Sequence, residues 1–170
     1  MHRVCDVPWK PVSPPFYGGC MFSGTPVDYQ DEQLANNGFW PDLNVRDFQS
    51  QRTIPADLAA DTVAQALLAA VGEVNADLAE VEARSRAKGF ARAQDVPGVS
   101  LKGQNVLCAQ YQKAVFARAK ADLLGEFATI GRRESHPGQE GEDTRKGLLG
   151  EAAMVIRRMK GLKRATVRMV

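Results

Sequence analysis

Residues 56–88 read ADLAADTVAQALLAAVGEVNADLAEVEARSRAK, and this stretch decides the fold class. Ala60, Ala64, Leu67, Val71, Val74, Leu78 and Val81 recur at alternating spacings of four and three, which lines apolar side chains along one side of an α-helix. Val63 and Ala70 widen that seam, while Asp61, Gln65, Glu73, Asp77, Glu80 and Arg84 fall on polar positions. The pattern predicts one helix of 33 residues, about 50 Å long. Gly72 weakens it by about 1 kcal/mol relative to alanine. Gly89 followed by Phe90 has the form of a glycine C-cap with a trailing apolar contact, and Asp95-Val96-Pro97-Gly98 reads as a turn.

Two further helices flank this one downstream. Leu107, Tyr111, Val115, Ala119, Leu123 and Phe127 form an i+4 ladder, broadened by Phe116 and Leu124, which predicts a helix over 104–129 ended by Gly131. Residues 131–143 mix glycine, proline and charge and read as a loop. A third helix is expected over 144–160, with Leu148, Leu149, Ala152, Val155, Ile156 and Met159 inward, Arg157 and Arg158 outward, and Gly161 as the stop. Upstream, order is expected from Phe39-Trp40-Pro41-Asp42. A short helix over 45–51 would be capped by Asn44, and Thr53-Ile54 would precede a proline, Pro55, suited to the entry turn of the long helix.

Residues 1–38 do not read as a domain. Pro8, Pro11, Pro14, Pro15 and Pro26 forbid a continuous helix, yet Trp9, Phe16, Tyr17, Phe22 and Tyr29 are more aromatic than a solvated linker requires. An extended arm that docks on its own body or on a neighbouring subunit accounts for both features. At the other end the period changes from 3.6 to 2: Ala165, Val167 and Met169 alternate with Thr166 and Arg168, a strand rhythm. With no other convincing strand in the sequence, this segment has no ladder partner at home and would pair with another chain.

The 170 residues are 44% hydrophobic and 25% charged, enough for one domain with its own core. No window is apolar enough for a membrane helix, and the first 30 residues lack a basic start followed by an apolar run, so neither membrane insertion nor secretion is indicated. Cys5, Cys20 and Cys108 cannot all pair and form no CxxC, so free thiols are expected. The net charge of +2 conceals an asymmetry. Residues 152–170 carry six basic side chains and no acid, and the other 16 basic residues against 20 acids leave 1–151 at −4. A basic end on a mildly acidic body suits an anionic partner, nucleic acid or an acidic protein surface.

Chemistry is thinly provided. His2 is terminal, His136 sits in the glycine- and proline-rich loop, and Cys108 lies near the apolar ladder, where a buried inert thiol is expected. No metal-ligand spacing, phosphate-binding glycine loop or carboxylate pair is present; Glu80 and Glu82 point to different sides of their helix, and Glu151 reads as a helix-dipole acid. No catalytic residue, cofactor or metal is nominated. A small helical nucleic-acid-binding protein using the basic C-terminus is the alternative, although no recognised DNA- or RNA-binding signature accompanies those charges.

Several short pieces in collinear order carry a resemblance: Phe39-Trp40-Pro41-Asp42-Leu43, Asn75-Ala76-Asp77-Leu78, Ala87-Lys88-Gly89-Phe90 leading to Asp95-Val96-Pro97, Tyr111-Gln112-Lys113-Ala114-Val115, and Met159-Lys160-Gly161 with Arg164 and Val167. Over about 39–170 the sequence resembles the head completion proteins of peduovirus-type tailed phages, a kind of head–tail connector adaptor. The resemblance implies a structural virion protein of the neck, present in the host cytoplasm during assembly, that docks on the portal after DNA packaging. It also implies a ring of twelve copies, stabilisation of the filled head, and a surface for the tail terminator. The expected architecture is an all-α bundle of connector-adaptor type over 39–161, an extended arm over 1–38 and a strand-forming tail over 162–170. The tail residues Leu162, Lys163, Arg164, Ala165, Thr166, Val167, Arg168, Met169 and Val170 are assigned to the portal. The arm aromatics are assigned to contact between subunits, and Arg157, Arg158 and Lys160 to packaged DNA or an acidic surface.

Overall fold

Three long helices form the body, and the middle one in space is the one with the most buried face. The structure, a computed structural model, describes residues 29–56, 58–130 and 139–162. In chain order the elements are β1 (Gln33–Leu34), β2 (Leu43–Asn44), α1 (Val45–Arg52), α2 (Ala60–Asp77), α3 (Ala79–Ala87), a 3₁₀ turn at Ala93–Asp95, β3 (Ser100–Leu101), β4 (Gln104–Asn105), α4 (Val106–Ile130) and α5 (Gln139–Met159). α4 packs against both α2 and α5. Its Tyr111, Val115, Ala119 and Leu123 are buried, as the ladder predicts, Ala114 is buried beside them, and Phe116 meets Phe48 of α1 with ring centroids 5.2 Å apart. Leu67, Val71, Val74, Leu78 and Val81 face this core from α2 and α3. The mostly helical class is as expected, with two small antiparallel ribbons added.

The long helix expected over 56–88 differs in two ways. It begins at Ala60 rather than Ala56, and Ala60 is exposed instead of opening the seam. The cause is upstream. Thr53 adopts a left-handed conformation (φ 51°) that closes α1, and Ile54 and Leu58 are then buried in the core, which keeps these residues out of the helix. The helix is also interrupted at Leu78 (φ −101°, ψ 10°), between α2 and α3. The interruption is narrow: the Leu78 N–H still bonds the Val74 carbonyl at 2.9 Å, and the Leu78 carbonyl accepts from Val81 and Glu82. Asn75 and Asp77, weak helix formers, lie just before it and spend their side chains on α4.

The caps read from the sequence are present. The Asn44 side chain accepts the Arg46 N–H at 2.8 Å. Gly89 (φ +89°) closes α3 with its N–H on the Arg86 carbonyl and the Phe90 N–H on the Ser85 carbonyl, a Schellman motif. Gly161 (φ +76°) repeats that motif after α5, through Arg158 and Arg157. α5 itself starts at Gln139, so 139–143 are helical where a loop was expected. Acidic Glu142 and Asp143 suit a helix start, and Glu142 pairs with Lys146 one turn on at 3.3 Å. α4 and α5 are antiparallel: the Lys113–Glu151 ion pair (3.5 Å) joins the N-terminal half of α4 to the middle of α5.

The two ribbons were not expected. β1 pairs with β2 through Gln33–Asn44 and Leu34–Leu43, so packing on the body begins upstream of Phe39. β3 pairs with β4 through Ser100–Asn105 and Leu101–Gln104, around successive positive-φ residues Lys102 and Gly103, a two-residue hairpin loop. Strands of two residues are too short to express an alternation in the sequence.

Candidate interaction surface

The Phe39-Trp40-Pro41-Asp42 segment is a clasp on α4. Trp40 stacks on Tyr111 with centroids 4.6 Å apart and planes 5° from parallel, and Phe39 meets Trp40 edge-on at 4.9 Å. Arg86 of α3 lies 5.1 Å over the Phe39 ring. Behind the aromatic layer three polar side chains close a ring of hydrogen bonds. The Tyr111 hydroxyl donates to Asn75 Oδ1 at 2.7 Å, Asn75 Nδ2 donates to Asn36 Oδ1 at 2.9 Å, and Asn36 Nδ2 donates back to the Tyr111 hydroxyl at 2.8 Å. Burial pushes the Tyr111 phenol up to about 12, against the Asn36 hydrogen bond that lowers it. The network ties the segment before β2, α2 and α4 together; its role is positional, since every group in it is satisfied by another.

A second cluster fixes α1 and α5 on α4. Arg52 of α1 donates to Glu151 Oε1 at 3.1 Å and to the Lys113 carbonyl at 3.0 Å, and Lys120 Nζ donates to the Arg52 carbonyl at 2.6 Å. Burial pushes the Glu151 carboxyl up, but the hydrogen bond and charge of Arg52, with Lys113, outweigh it and hold the group below its ordinary value. Glu151 is therefore an inter-helix ion-pair residue in mid-α5, which corrects its reading as a dipole acid near a helix start. On α4, Arg118 bridges Glu73 and Asp77 of α2.

Cys108 is buried, and burial raises its thiol pKa, as expected of an inert core cysteine. Among the described residues no group of three His, Cys, Asp or Glu side chains could hold a metal ion. No described helix is long and apolar enough to cross a membrane. His2 and His136 lie outside the described residues.

Of the residues assigned to contacts, Arg157 and Arg158 are exposed on the last turn of α5 and Lys160 is half-buried. The Lys160 carbonyl accepts from Arg84 Nη2 at 3.3 Å, which ties α3 to the end of α5. Leu162 is exposed, with its N–H on the Arg157 carbonyl. The structure thus brings Arg157, Arg158, Lys160 and Leu162 together at one end of the bundle. Lys163, Arg164, Ala165, Thr166, Val167, Arg168, Met169 and Val170 lie outside the described residues, as do Trp9, Phe16, Tyr17 and Phe22. Tyr29 is half-buried where the described chain begins.

The β3–β4 hairpin was missed by sequence reasoning. Its register turns Asn105 inward, where Nδ2 donates to the Ala93 and Val96 carbonyls at 2.7 and 2.9 Å and Oδ1 caps α4 by accepting the Cys108 N–H at 2.9 Å. Period-2 alternation then sends Val99, Leu101 and Val106 to the opposite face, 81%, 76% and 46% exposed. Val99 and Leu101 do alternate with Ser100 and Lys102 before a glycine, but an alternation over four residues is too short to distinguish a strand from chance.

The family model described as phage head completion protein (GPL) matches residues 34–170. Haemophilus phage HP1 has a relative described as "Probable head completion/stabilization protein", 42% identical over 147 residues that cover 86% of this chain and 98% of that one. The head completion/stabilization protein of Escherichia phage P2, a peduovirus, is 27% identical over 97 residues, 57% of each chain. No solved structure matches. The family match spans nearly all of the described residues, and the chain belongs to the phage head completion protein family, structural components of the virion head and not enzymes.

Proposed function

We propose that this head completion protein acts at the neck, docking on the portal once DNA is packaged, stabilising the filled head and offering a surface to the tail terminator. Copies stand side by side in a ring of twelve, an arrangement in which each contact is heterologous and closed by rotation. Residues 162–170 make the portal contact by adding a strand to a sheet edge on that protein. The arm residues Trp9, Phe16, Tyr17, Phe22 and Tyr29 reach a neighbouring copy. Arg157, Arg158 and Lys160 face packaged DNA or an acidic surface.

The observation that carries this reading is the family match over 34–170, which includes the segment assigned to the portal. The period-2 pattern of 165–169 next to the exposed Leu162 supports it. The test is deletion of 162–170. That variant is expected to keep the helical circular dichroism of the full chain and to lose co-sedimentation with portal-bearing, DNA-filled heads. Unchanged docking by the folded deletion variant overturns the tail assignment. Strongly salt-dependent binding of the free protein to nonspecific duplex, with no affinity for heads, overturns the neck reading in favour of nucleic-acid binding.

A further inference from the structure

Two basic segments without an acid, far apart in the sequence, meet at one end of the bundle. Residues 83–94 carry Arg84, Arg86, Lys88 and Arg92, and residues 152–170 carry six further basic side chains. The remaining 12 basic residues against all 20 acids leave the rest of the chain at −8. The fold joins the two segments. Arg84 Nε donates to the Glu80 carbonyl and Nη2 to the Lys160 carbonyl, both at 3.3 Å, so the last turn of α3 lies against the end of α5. Lys88 follows Arg84 one turn on, and Arg84, Lys88, Arg157 and Arg158 are all exposed.

Part of this charge has a structural account. Arg86 pairs with Glu82 at 2.9 Å and lies over the Phe39 ring, and Arg92 shares a recess with Asp42. Arg157 borders a groove with Asp77 of α2 and Arg118 of α4. The helix dipole favours bases in a last turn, which covers Arg84 and Arg158. That effect fades within the turn, and Lys163, Arg164 and Arg168 follow the Gly161 cap. Gathering like charges also costs stability through self-repulsion, which an external anion offsets.

The chemistry of that anion can be narrowed. Interface cores between proteins are apolar and poor in lysine. A duplex presents one phosphate charge per about 1.7 Å of its axis, which suits a dense set of long basic side chains. Single strands are held by stacking on aromatic side chains, but Phe39 under Arg86 and Trp40 beside it are both buried. The −8 on the rest of the chain turns this end toward a polyanion.

We infer that the end of the bundle where α3 meets α5 binds the phosphodiester backbone of duplex DNA, with Arg84 and Lys88 joining Arg157, Arg158 and Lys160 as contacts to phosphate. The inference rests on the reading of the α5 basic residues as contacts to an anion; it adds α3 to them and selects duplex phosphate over an acidic protein.

The test titrates the full-length protein and its Lys88→Gln, Arg158→Gln and Lys146→Gln variants onto two short duplexes of unrelated sequence, read by fluorescence anisotropy between about 50 and 200 mM salt. Lys146 is the control: it pairs with Glu142 on the same helix as Arg158, about 18 Å away along the axis. Circular dichroism reports the fold of each variant, and all three side chains are exposed. The two duplexes are expected to bind alike. Lys88→Gln and Arg158→Gln are each expected to reduce the slope of log affinity against log salt by about 1, and together by about 2, with Lys146→Gln at the parent value. Co-sedimentation with DNA-filled heads, read in parallel, is expected to survive in every variant because 162–170 is kept. A Lys88→Gln slope equal to the parent's removes α3 from the contact and overturns the inference. An equal loss from Lys146→Gln means diffuse attraction without a site and overturns it too. Absence of duplex binding at the lowest salt overturns the duplex assignment; if head docking then weakens in Lys88→Gln and Arg158→Gln, an acidic protein is the partner and the neck reading stands. Duplex binding with the expected slopes, by a parent chain that never docks on heads, supports this inference and defeats the neck reading.

Discussion

Replacing Tyr111 by phenylalanine removes one oxygen from the polar ring at the centre of the clasp. The aromatic ring, stacked on Trp40 at 4.6 Å, is kept. Asn75 Oδ1 loses a 2.7 Å donor, and one hydrogen of Asn36 Nδ2 loses a 2.8 Å acceptor, although that amide still donates to the Pro41 carbonyl at 3.1 Å. Loss of the net hydrogen bonds with a partly buried oxygen left unpaired costs about 2 kcal/mol. For a chain of this size that lowers Tm by about 4–8 °C. Urea denaturation followed by tryptophan fluorescence gives the value, with the m-value expected unchanged because the same surface is exposed. The pH profile supplies an independent reading. Burial raises the Tyr111 phenol in the folded chain from 10.0 to about 12, so the unfolded chain binds fewer protons between those values. Stability from this group is complete below pH 10.0 and is lost as pH rises toward about 12, and the phenylalanine variant lacks that alkaline loss. A change below about 0.5 kcal/mol, or an alkaline profile identical to the parent's, refutes the claim that the ring of three side chains fixes the clasp.

Glu151→Gln is expected to cost about 1 kcal/mol at pH 7, a modest figure because Glu151 and its partners are partly exposed. Since the folded carboxyl is held low by Arg52 and Lys113, its contribution is present above the unfolded value and lost as pH falls through the folded one, and the variant's acid unfolding is correspondingly flatter. Asn105→Ala strands the Val96 carbonyl, leaves the Ala93 carbonyl only its longer bond from the Val96 N–H, and uncaps α4, for an expected loss of about 2–3 kcal/mol in equilibrium denaturation. Leu101→Lys, at a side chain 76% exposed, should change stability by less than about 0.5 kcal/mol; a larger loss would mean that the hairpin's apolar face is covered within the monomer.

What the sequence made legible follows from how many residues express each signal. The α4 ladder and the α2–α3 seam repeat over many turns, so helix type and inward face could be read directly, as could the caps at Asn44, Gly89 and Gly161, where one residue type meets one backbone need. The break at Leu78 could not be read, because Leu78 continues the apolar seam and its cause is the tertiary use of Asn75 and Asp77. Likewise Ile54 and Leu58 leave the helix because the core takes them, which local propensity does not encode. The candidate surface was half legible. Basic Arg157 and Arg158 declared themselves by composition, whereas the outward apolar face of the hairpin depends on which side Asn105 occupies, and register appears only in three dimensions.

The central claim is that this helical body joins the neck and is held there by residues 162–170. A reconstruction of the intact neck tests it most directly. The account predicts a ring of copies between portal and tail terminator, the α4–α2 and α4–α5 packing unchanged, and the segment after Gly161 hydrogen-bonded as a strand to the portal. A neck without this chain, or one in which 162–170 touches only its own subunit, contradicts it.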